Sequence, residues 1–263
     1  MLKVRIIPTL LYKNFGLVKG TAFNSWRRVG GVLQAVKVYN LREVDELIFL
    51  DISATLEGRS PDFSLIDDIA DECFMPLTVG GGIRTLDDVT RLLKVGADKI
   101  AINTIAVENP SFIQSVADTF GSQCVVVSID YVRVDSNRHE VYSHSGRKAT
   151  GLSPEQFAME CERLGAGELL LTSIDNDGMM NGYDLECLRR VAETVSIPVI
   201  ASGGAGNFQH MVEALHVGKA SAVAAASMFH FTEQTPLEAK AYLKMKDIPV
   251  RIINEMGSGH ASC

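Results

Sequence analysis

The strongest constraint on the fold is an approximate repeat of one half of the chain in the other. The stretch LIFLDIS at 47–53 is similar to LLLTSID at 169–175, and PLTVGGGI at 76–83 is similar to PVIASGGA at 198–205. Both pairs lie about 122 residues apart, close to half of the 263-residue chain. Internal similarity at a fixed period marks a repeat architecture. The sequence therefore predicts two fused halves of one domain, at about 1–123 and 124–252.

Short apolar runs recur along both halves, and a helical pattern follows each run. Runs such as LIFLDI and LLLTSI are apolar without alternation, which is typical of parallel strands buried on both faces. Eight strand–helix units with no linker predict a closed (β/α)8 TIM barrel of the α/β class, and the main alternative is a doubly wound sheet. The predicted strands are 4–10, 46–52, 76–80, 98–103, 124–130, 168–174, 197–202 and 221–226. The predicted helices are 31–44, 61–73, 84–95, 109–119, 153–164, 184–194, 207–217 and 234–246.

The net charge and the cysteines of the chain indicate which partners and which cellular compartment to expect. A net charge of −7 without a basic run argues against a nucleic-acid partner. The five cysteines are widely spaced, which argues against a zinc site or a disulfide framework and for a reducing cytosol. No apolar run approaches the roughly 20 residues that span a bilayer, and the chain begins with a strand rather than a signal peptide. We therefore expect a cytoplasmic protein without metal, cofactor or membrane contact, and a disordered tail at 253–263.

Glycine runs end two of the predicted strands, at Gly80–Gly82 and Gly203–Gly204. In this fold, chemistry belongs at the carboxyl ends of the strands. Free backbone N–H groups before a helix can bind an anion there, and Asn103–Thr104 and Ala226–Ser227 on the next strands could complete each site. Tight turns alone would also explain the glycines. Because the two runs are symmetric, we predict two phosphate sites and a long substrate with a phosphate near each end.

Three carboxylates also end strands at this face: Asp51, Asp130 and Asp175. A carboxylate in a semi-enclosed mouth can have a raised pKa and act as an acid or base, although a strand-end aspartate is often only a turn residue. We expect this catalytic role for Asp130. Lys19 lies in segment 13–30, which lacks periodicity and is predicted to be a mobile lid. Its ammonium group could meet a phosphate or a substrate oxygen, or it could simply be solvated.

Four charged residues begin strands at the opposite end of the predicted barrel: Arg5, Glu46, Lys99 and Glu168. Two cations and two anions could form a closed ring across that end. A stabilising role is the default for this face. Buried ion pairs stabilise weakly, however, so we expect the ring to act as a gate into the core.

The chain resembles the cyclase subunit of imidazole glycerol phosphate synthase over nearly its whole length. The resemblance rests on VKGTAF (18–23), DELIFLDI (45–52), LTVGGGIRT (77–85), GADKIAINT (96–104), AVENPS (106–111), TFGSQCVVVSID (119–130), GAGELLLTSIDNDG (165–178), GYDLE (182–186), IASGGAG (200–206) and MFHF (228–231). It implies a (β/α)8 barrel that pairs with a glutaminase. Ammonia released by the glutaminase enters the barrel from below and attacks a bisphosphorylated substrate at the top.

The resemblance also implies a role for each matching residue. It implies gate roles for the four-residue charged ring, a partner-facing role for Asp98 and the acid/base role for Asp130. Substrate or phosphate contacts are expected at Lys19 and at residues at or just after the strand ends. These residues are Lys19, Asp51, Gly82, Asn103, Thr104, Asp177, Gly178, Gly203, Gly204, Ala226 and Ser227.

One position departs from the family pattern. The end of the first strand is close to I-I-x-C-L-D-V in the family, with an essential acid/base aspartate, whereas this chain has Leu11 at that position. Leucine cannot transfer a proton, and one general acid–base step is worth about 10²–10⁴-fold in rate. Divergent family members from surface-polysaccharide clusters work with a glutaminase homologue, and usually an amidotransferase-like third protein, to convert an acetamido sugar into an acetamidino sugar. The sequence resembles those members, which implies a phosphorylated or nucleotide-linked sugar substrate.

Three functions remain open from the sequence. The first is an ammonia-using synthase subunit in sugar amidination. The second is a true cyclase of histidine biosynthesis in which Tyr12 or Thr9 replaces the missing acid. The third is a scaffold without chemistry of its own that delivers ammonia to a partner.

Overall fold

The structure is a computed structural model, which describes residues 3–14, 16–136 and 138–251. The predicted tail at 253–263 lies outside the described residues. Twelve strands follow one another along the described chain: β1 (Arg5–Lys13), β2 (Gly16–Thr21), β3 (Asn24–Gly30), β4 (Leu47–Asp51), β5 (Leu77–Gly80), β6 (Lys99–Ile102), β7 (Val125–Arg133), β8 (His139–Ser143), β9 (Lys148–Ala149), β10 (Glu168–Ser173), β11 (Val199–Ser202) and β12 (Ala222–Ala225).

Ten α-helices lie between or after these strands in the described part of the chain. They are α1 (Val32–Leu41), α2 (Phe63–Glu72), α3 (Leu86–Lys94), α4 (Thr104–Glu108), α5 (Ser111–Phe120), α6 (Pro154–Arg163), α7 (Leu185–Thr194), α8 (Phe208–His216), α9 (Ser227–Phe231) and α10 (Pro236–Met245). None of the helices among the described residues is long and apolar enough to cross a membrane.

Eight parallel strands close into a barrel in the order β1, β4, β5, β6, β7, β10, β11 and β12, and β12 pairs again with β1. The predicted closed (β/α)8 barrel is confirmed, and the doubly wound alternative is wrong because β7 pairs with β10 and no barrel edge is left open. The carboxyl ends of these strands form what we call the mouth, and their amino ends form the bottom.

Side chains alternate between the inside of the barrel and the layer beneath the helices. Ile7 and Ile48 belong to a small apolar cluster inside the barrel, whereas Ile6, Leu47 and Phe49 belong to the larger core that the helices cover. Successive side chains of a strand point to opposite faces, so both clusters need apolar residues at adjacent positions. This arrangement explains why the strands read as continuous apolar runs.

Two hairpins extend the barrel at the mouth. The segment 13–30, which lacks clear periodicity and was predicted to be a mobile lid, forms strands β2 and β3, and β2 pairs antiparallel with the end of β1. These two strands were not predicted, because they depend on β1 continuing to Lys13 and pairing with the strand that returns from it. In the other half of the barrel, β7 continues in the same way into β8 and β9. Each half of the sheet therefore begins with a long strand that carries a hairpin.

The last helix is joined to the first strands by a buried ion pair. Lys240 Nζ on α10 lies 2.7 Å from Asp45 Oδ1 and 2.6 Å from the carbonyl oxygen of Glu43. The other oxygen of Asp45 accepts a hydrogen bond from the backbone N–H of Ile6 at 2.9 Å. This contact connects the C-terminal helix with β1 and with the loop before β4, so it lies where the barrel closes.

Candidate active site at the mouth of the barrel

One cavity occupies the mouth, and the predicted site residues surround it. Its lining includes every residue for which a catalytic, substrate or phosphate role was predicted: Lys19, Asp51, Gly82, Asn103, Thr104, Asp130, Asp177, Gly178, Gly203, Gly204, Ala226 and Ser227. The parallel strands bring them together because their carboxyl ends meet at one end of the barrel. Asp175 does not line this cavity, since its carboxylate accepts a hydrogen bond from the backbone N–H of Arg133 instead.

Asp130 is a buried acid at the end of β7. Its carboxylate accepts a hydrogen bond from Ser128 Oγ at 3.0 Å, and Ser128 lies two residues earlier on the same face of the strand. Burial raises the pKa of Asp130 to about 7, and the hydrogen bond from Ser128 offsets part of that rise. A carboxyl group with a pKa near neutral pH can both donate and accept a proton under working conditions.

This pKa has a measurable consequence for stability. The folded protein keeps the proton of Asp130 up to about pH 7, whereas the unfolded chain loses it near pH 4. Wild-type stability should therefore fall as the pH rises from about 4 to about 7. We expect Asp130→Asn to remove this loss, so that the variant exceeds the wild type at pH 8 by about 1 kcal/mol or more. Urea unfolding at pH 5 and pH 8 measures the difference, and Asp175→Asn, which changes an exposed strand-end acid, should not reproduce it.

Asp51 is fully engaged by neighbouring donors. Its carboxylate accepts hydrogen bonds from Ser53 and from the backbone N–H of Ala54 at 2.9–3.1 Å. Arg59 contacts it with two guanidinium nitrogens, each 3.1 Å from Oδ2. These contacts occupy both carboxylate oxygens of Asp51, which forms part of one wall of the mouth.

Lys19 and Asp177 form a second engaged pair. Lys19 Nζ lies 2.6 and 2.7 Å from the two oxygens of Asp177, and Lys19 is only 2% exposed. The alternative of a solvated lysine is therefore wrong. The backbone N–H of Ala22 also donates to the carbonyl oxygen of Asp177 at 2.8 Å. Together these contacts hold the β2–β3 hairpin against the loop that follows β10.

Leu11 lies on the cavity wall where the family pattern has its second acid. It is 8% exposed and pairs with Leu50 of β4. Tyr12 belongs to the outer core, packs on Phe49 with a ring-centroid distance of 5.6 Å, and does not line the cavity, whereas Thr9 does. Of the cavity-lining carboxyl groups in the described residues, Asp130 alone makes no ion pair.

The two glycine turns bring backbone close to the cavity. Gly81 has φ +106° and Gly204 has φ +115°, in the left-handed region that favours glycine. A Cβ atom at Gly81 would collide with the carbonyl oxygen of Asp51, and one at Gly204 would collide with that of Gly182. Both turns therefore require glycine on steric grounds, so the tight-turn explanation holds alongside any role in binding phosphate.

The four-residue charged ring closes the bottom of the barrel. Arg5 lies 2.6 Å from Glu46 and 3.0 Å from Glu168, and Lys99 lies 3.0 and 3.2 Å from the same two carboxylates. Thr78 Oγ1 donates a further hydrogen bond to Glu46 at 2.8 Å. Above the ring, the inside of the barrel is apolar, and this layer comprises Ile7, Ile48, Ala101, Val126, Leu170, Ile200, Ala222 and Ala224.

Asp98 lies next to the ring on the bottom face. It is exposed and accepts a hydrogen bond from the backbone N–H of Leu77 at 2.8 Å. No group of three or more histidine, cysteine or acidic side chains in the described ranges could hold a metal ion.

A model of one protein family, described as histidine biosynthesis protein, matches residues 5–235. The chain belongs to this family. Its barrel is therefore that of a histidine-pathway-like enzyme, and the broad part of the resemblance drawn from sequence motifs is confirmed.

Three features of this family member's mouth were missed from the sequence. Arg59 was not predicted to hold Asp51, and Ser128 was not predicted to donate to Asp130. Trp26 was not predicted to line the cavity from the hairpin. Only Ser128 carried a usable signal, because a hydroxyl two residues before a strand-end acid lies on the same face of the strand.

Proposed function

We propose that the chain is the ammonia-using, cyclase-like synthase subunit of a glutamine amidotransferase complex that forms an acetamidino sugar for surface polysaccharide. One observation carries this proposal. The charged ring and the apolar barrel interior are intact, while Asp130 is the only cavity-lining carboxyl group in the described residues without an ion pair.

The bottom and the interior of the barrel support ammonia as the nucleophile. The bottom ring consists of ion pairs that can separate, and the layer above it is apolar. Moving an ion into an apolar environment costs far more than moving a neutral polar molecule. Such an interior favours neutral ammonia over ammonium ion and over larger polar molecules.

The mouth supports a reaction other than ring closure. Leu11 cannot transfer a proton, and Tyr12 faces the outer core, so it cannot replace the missing acid. Thr9 does line the cavity, but an aliphatic hydroxyl is a much weaker acid than a carboxyl group. The histidine-pathway cyclase is therefore the weaker candidate. The buried Asp130, with its raised pKa, favours a catalytic subunit over a scaffold, because functional sites are where such shifts concentrate.

The bottom face supports docking of a glutaminase. Leu41 at the end of α1 and Phe74 after α2 are each 85% exposed. Asn40 connects the two segments by hydrogen bonds to the carbonyl oxygen of Glu72 and to the N–H of Phe74. Exposed large apolar side chains near Asp98 and the charged ring suit a protein partner, which would deliver ammonia directly beneath Lys99.

Lys99→Ala tests the ammonia route. We expect the variant, in complex with a glutaminase homologue, to lose several-fold in glutamine-supported product formation while ammonium-supported formation changes little. The reason is that an opened ring lets ammonia escape, whereas free ammonium salt does not depend on the ring. Lys94→Ala, which removes an exposed cation at the end of α3, is the matched control. Equal loss with both nitrogen sources, or no loss with either, would contradict the proposed route.

A further inference from the structure

One hydroxyl group at the mouth has no expected role, yet it contacts the acid on which the proposed chemistry depends. Ser128 Oγ donates a hydrogen bond to Asp130 Oδ1 at 3.0 Å. The two residues are 7% and 9% exposed, and both line the cavity. Asp130 makes no ion pair within the described residues, so hydrogen bonds are the contacts that stabilise its carboxylate form.

The main chain at Asp130 is held by strands on both sides. Asp130 lies opposite Thr172 of β10 in the barrel and opposite Tyr142 of β8 in the hairpin. Because neighbours on both sides restrict the backbone, the position of the carboxyl group depends on the side-chain torsions of Asp130. The hydrogen bond from Ser128 fixes one carboxyl oxygen and thereby restricts these torsions.

Asn103, which follows β6, holds Ser128 in turn. Its Nδ2 atom donates hydrogen bonds to the carbonyl oxygens of Ser128 and Tyr142, each at 3.1 Å. A side-chain amide has two N–H donors, so both are used on these two main-chain acceptors. The side chain of Asn103 therefore joins β7 to β8 and fixes the main chain that carries the Ser128 hydroxyl group.

The charged groups that line the cavity around Asp130 are already paired. Lys19 on β2 is bound to Asp177 in the loop after β10. Asp51 at the end of β4 is bound to Arg59. Each of these cations therefore has a carboxylate partner of its own, and the charge that acts on Asp130 is that of Asp177.

Opposing effects set the pH at which Asp130 loses its proton. Burial and the negative charge of Asp177 raise the pKa of Asp130, whereas the hydroxyl groups of Ser128 and Thr172 lower it. The balance leaves this pKa at about 7. Since no cation contributes, the two hydroxyl groups are what brings the pKa down into the neutral range.

We propose that Ser128 is a positioning residue for Asp130: its hydroxyl group fixes Oδ1, holds the carboxyl group at the cavity and keeps the carboxylate form accessible near neutral pH. This role rests on the proposed function, in which Asp130 transfers protons at a mouth that has Leu11 instead of a second acid. One carboxyl group must then both give and take a proton. Without the hydroxyl group, Asp130 would stay protonated through neutral pH and could act only as an acid.

Nuclear magnetic resonance of the Asp130 carboxyl carbon, followed against pH in the full chain without substrate, tests this role. The resonance is assigned by its loss in Asp130→Asn. We expect Ser128→Ala to raise the titration midpoint by about 0.5–1 pH unit, because a hydrogen bond to a charged acceptor is roughly twice as strong as one to a neutral acceptor. Ser128→Thr keeps a hydroxyl group and should keep the wild-type midpoint.

Ser145→Ala is the matched control for the loss of a hydroxyl group. Ser145 also lines the cavity, but its Oγ donates to the carbonyl oxygen of Ile52 at 2.9 Å. Its removal should therefore leave the titration midpoint of Asp130 unchanged.

Urea unfolding at pH 5 and pH 8 separates this role from a purely structural one. Ser128→Ala raises the pKa of Asp130 only in the folded chain, whereas the unfolded chain loses this proton near pH 4 in both proteins. We expect the fall in the folding constant from pH 5 to pH 8 to be about three- to fivefold larger in Ser128→Ala than in the wild type. A structural role alone would lower the folding constant by the same factor at both pH values.

Three results would overturn the role of Ser128. They are an unchanged midpoint in Ser128→Ala, a midpoint in Ser128→Thr equal to that in Ser128→Ala, and equal destabilisation of Ser128→Ala at the two pH values. These measurements involve neither glutamine nor ammonia, so their outcome is independent of the Lys99 experiment. A raised midpoint together with failure of the Lys99 prediction would remove the ammonia route and leave the role of Ser128 standing. The opposite pair of results would remove the role and leave the route.

Discussion

Leu11→Asp is expected to increase turnover of the bisphosphorylated histidine-pathway substrate, with ammonium salt as the nitrogen source, by about 10²–10⁴-fold over the wild type. The wild type should be nearly inactive in this assay, because its mouth holds Asp130 and no second free acid among the described residues. Leu11 already faces the cavity and pairs with Leu50, the residue before Asp51 on β4, so an aspartate there would meet solvent and polar groups. The measurement is the rate of release of the aminoimidazole product.

Leu11→Asn is the matched control for this experiment. Asparagine has the size and polarity of aspartate but cannot transfer a proton, so it should not increase turnover. If the wild type already turns the substrate over at the rate of an ordinary cyclase, Leu11 does not disable ring closure and the proposed change of reaction is wrong. A gain with asparagine equal to that with aspartate would show that the effect is steric.

Lys240→Ala is expected to lower the free energy of unfolding by about 3–5 kcal/mol. The side chains of Lys240 and Asp45 are 3% and 5% exposed, and the variant would leave the carboxylate of Asp45 buried without its cation. The lost contact lies between α10 and β1 within a single barrel, so we expect the whole barrel still to unfold in one cooperative transition. Urea denaturation measures this change. The slope of the free energy of unfolding against urea concentration should stay the same as in the wild type.

Lys37→Ala controls for the removal of a lysine from an ion pair. Lys37 and Glu72 are 58% and 40% exposed, and such surface pairs contribute about 0–1 kcal/mol. The double variant Lys240→Met with Asp45→Asn should recover much of the loss, since no buried charge would remain. A loss below 1 kcal/mol for Lys240→Ala alone would mean that water reaches Asp45 at the barrel joint.

The strand–helix order followed from local patterns. The predicted strand 76–80 is β5 at Leu77–Gly80, and the predicted helix 207–217 is α8 at Phe208–His216. Such agreement is expected where a buried parallel strand must be continuously apolar and a covering helix must be amphipathic. The β2–β3 hairpin was missed because its pairing depends on where β1 ends, and β1 runs three residues beyond the predicted end at residue 10.

The sequence by itself determined the barrel, the end at which the site lies and the unusual residue Leu11, because each depends on the position of a residue within its own strand. Only the tertiary structure decided which acids are free. Asp177 is bound by Lys19 from 158 residues away, and Asp45 is bound by Lys240 from 195 residues away. Contacts between residues so far apart in the chain exist only once the barrel has closed, so local patterns do not contain them.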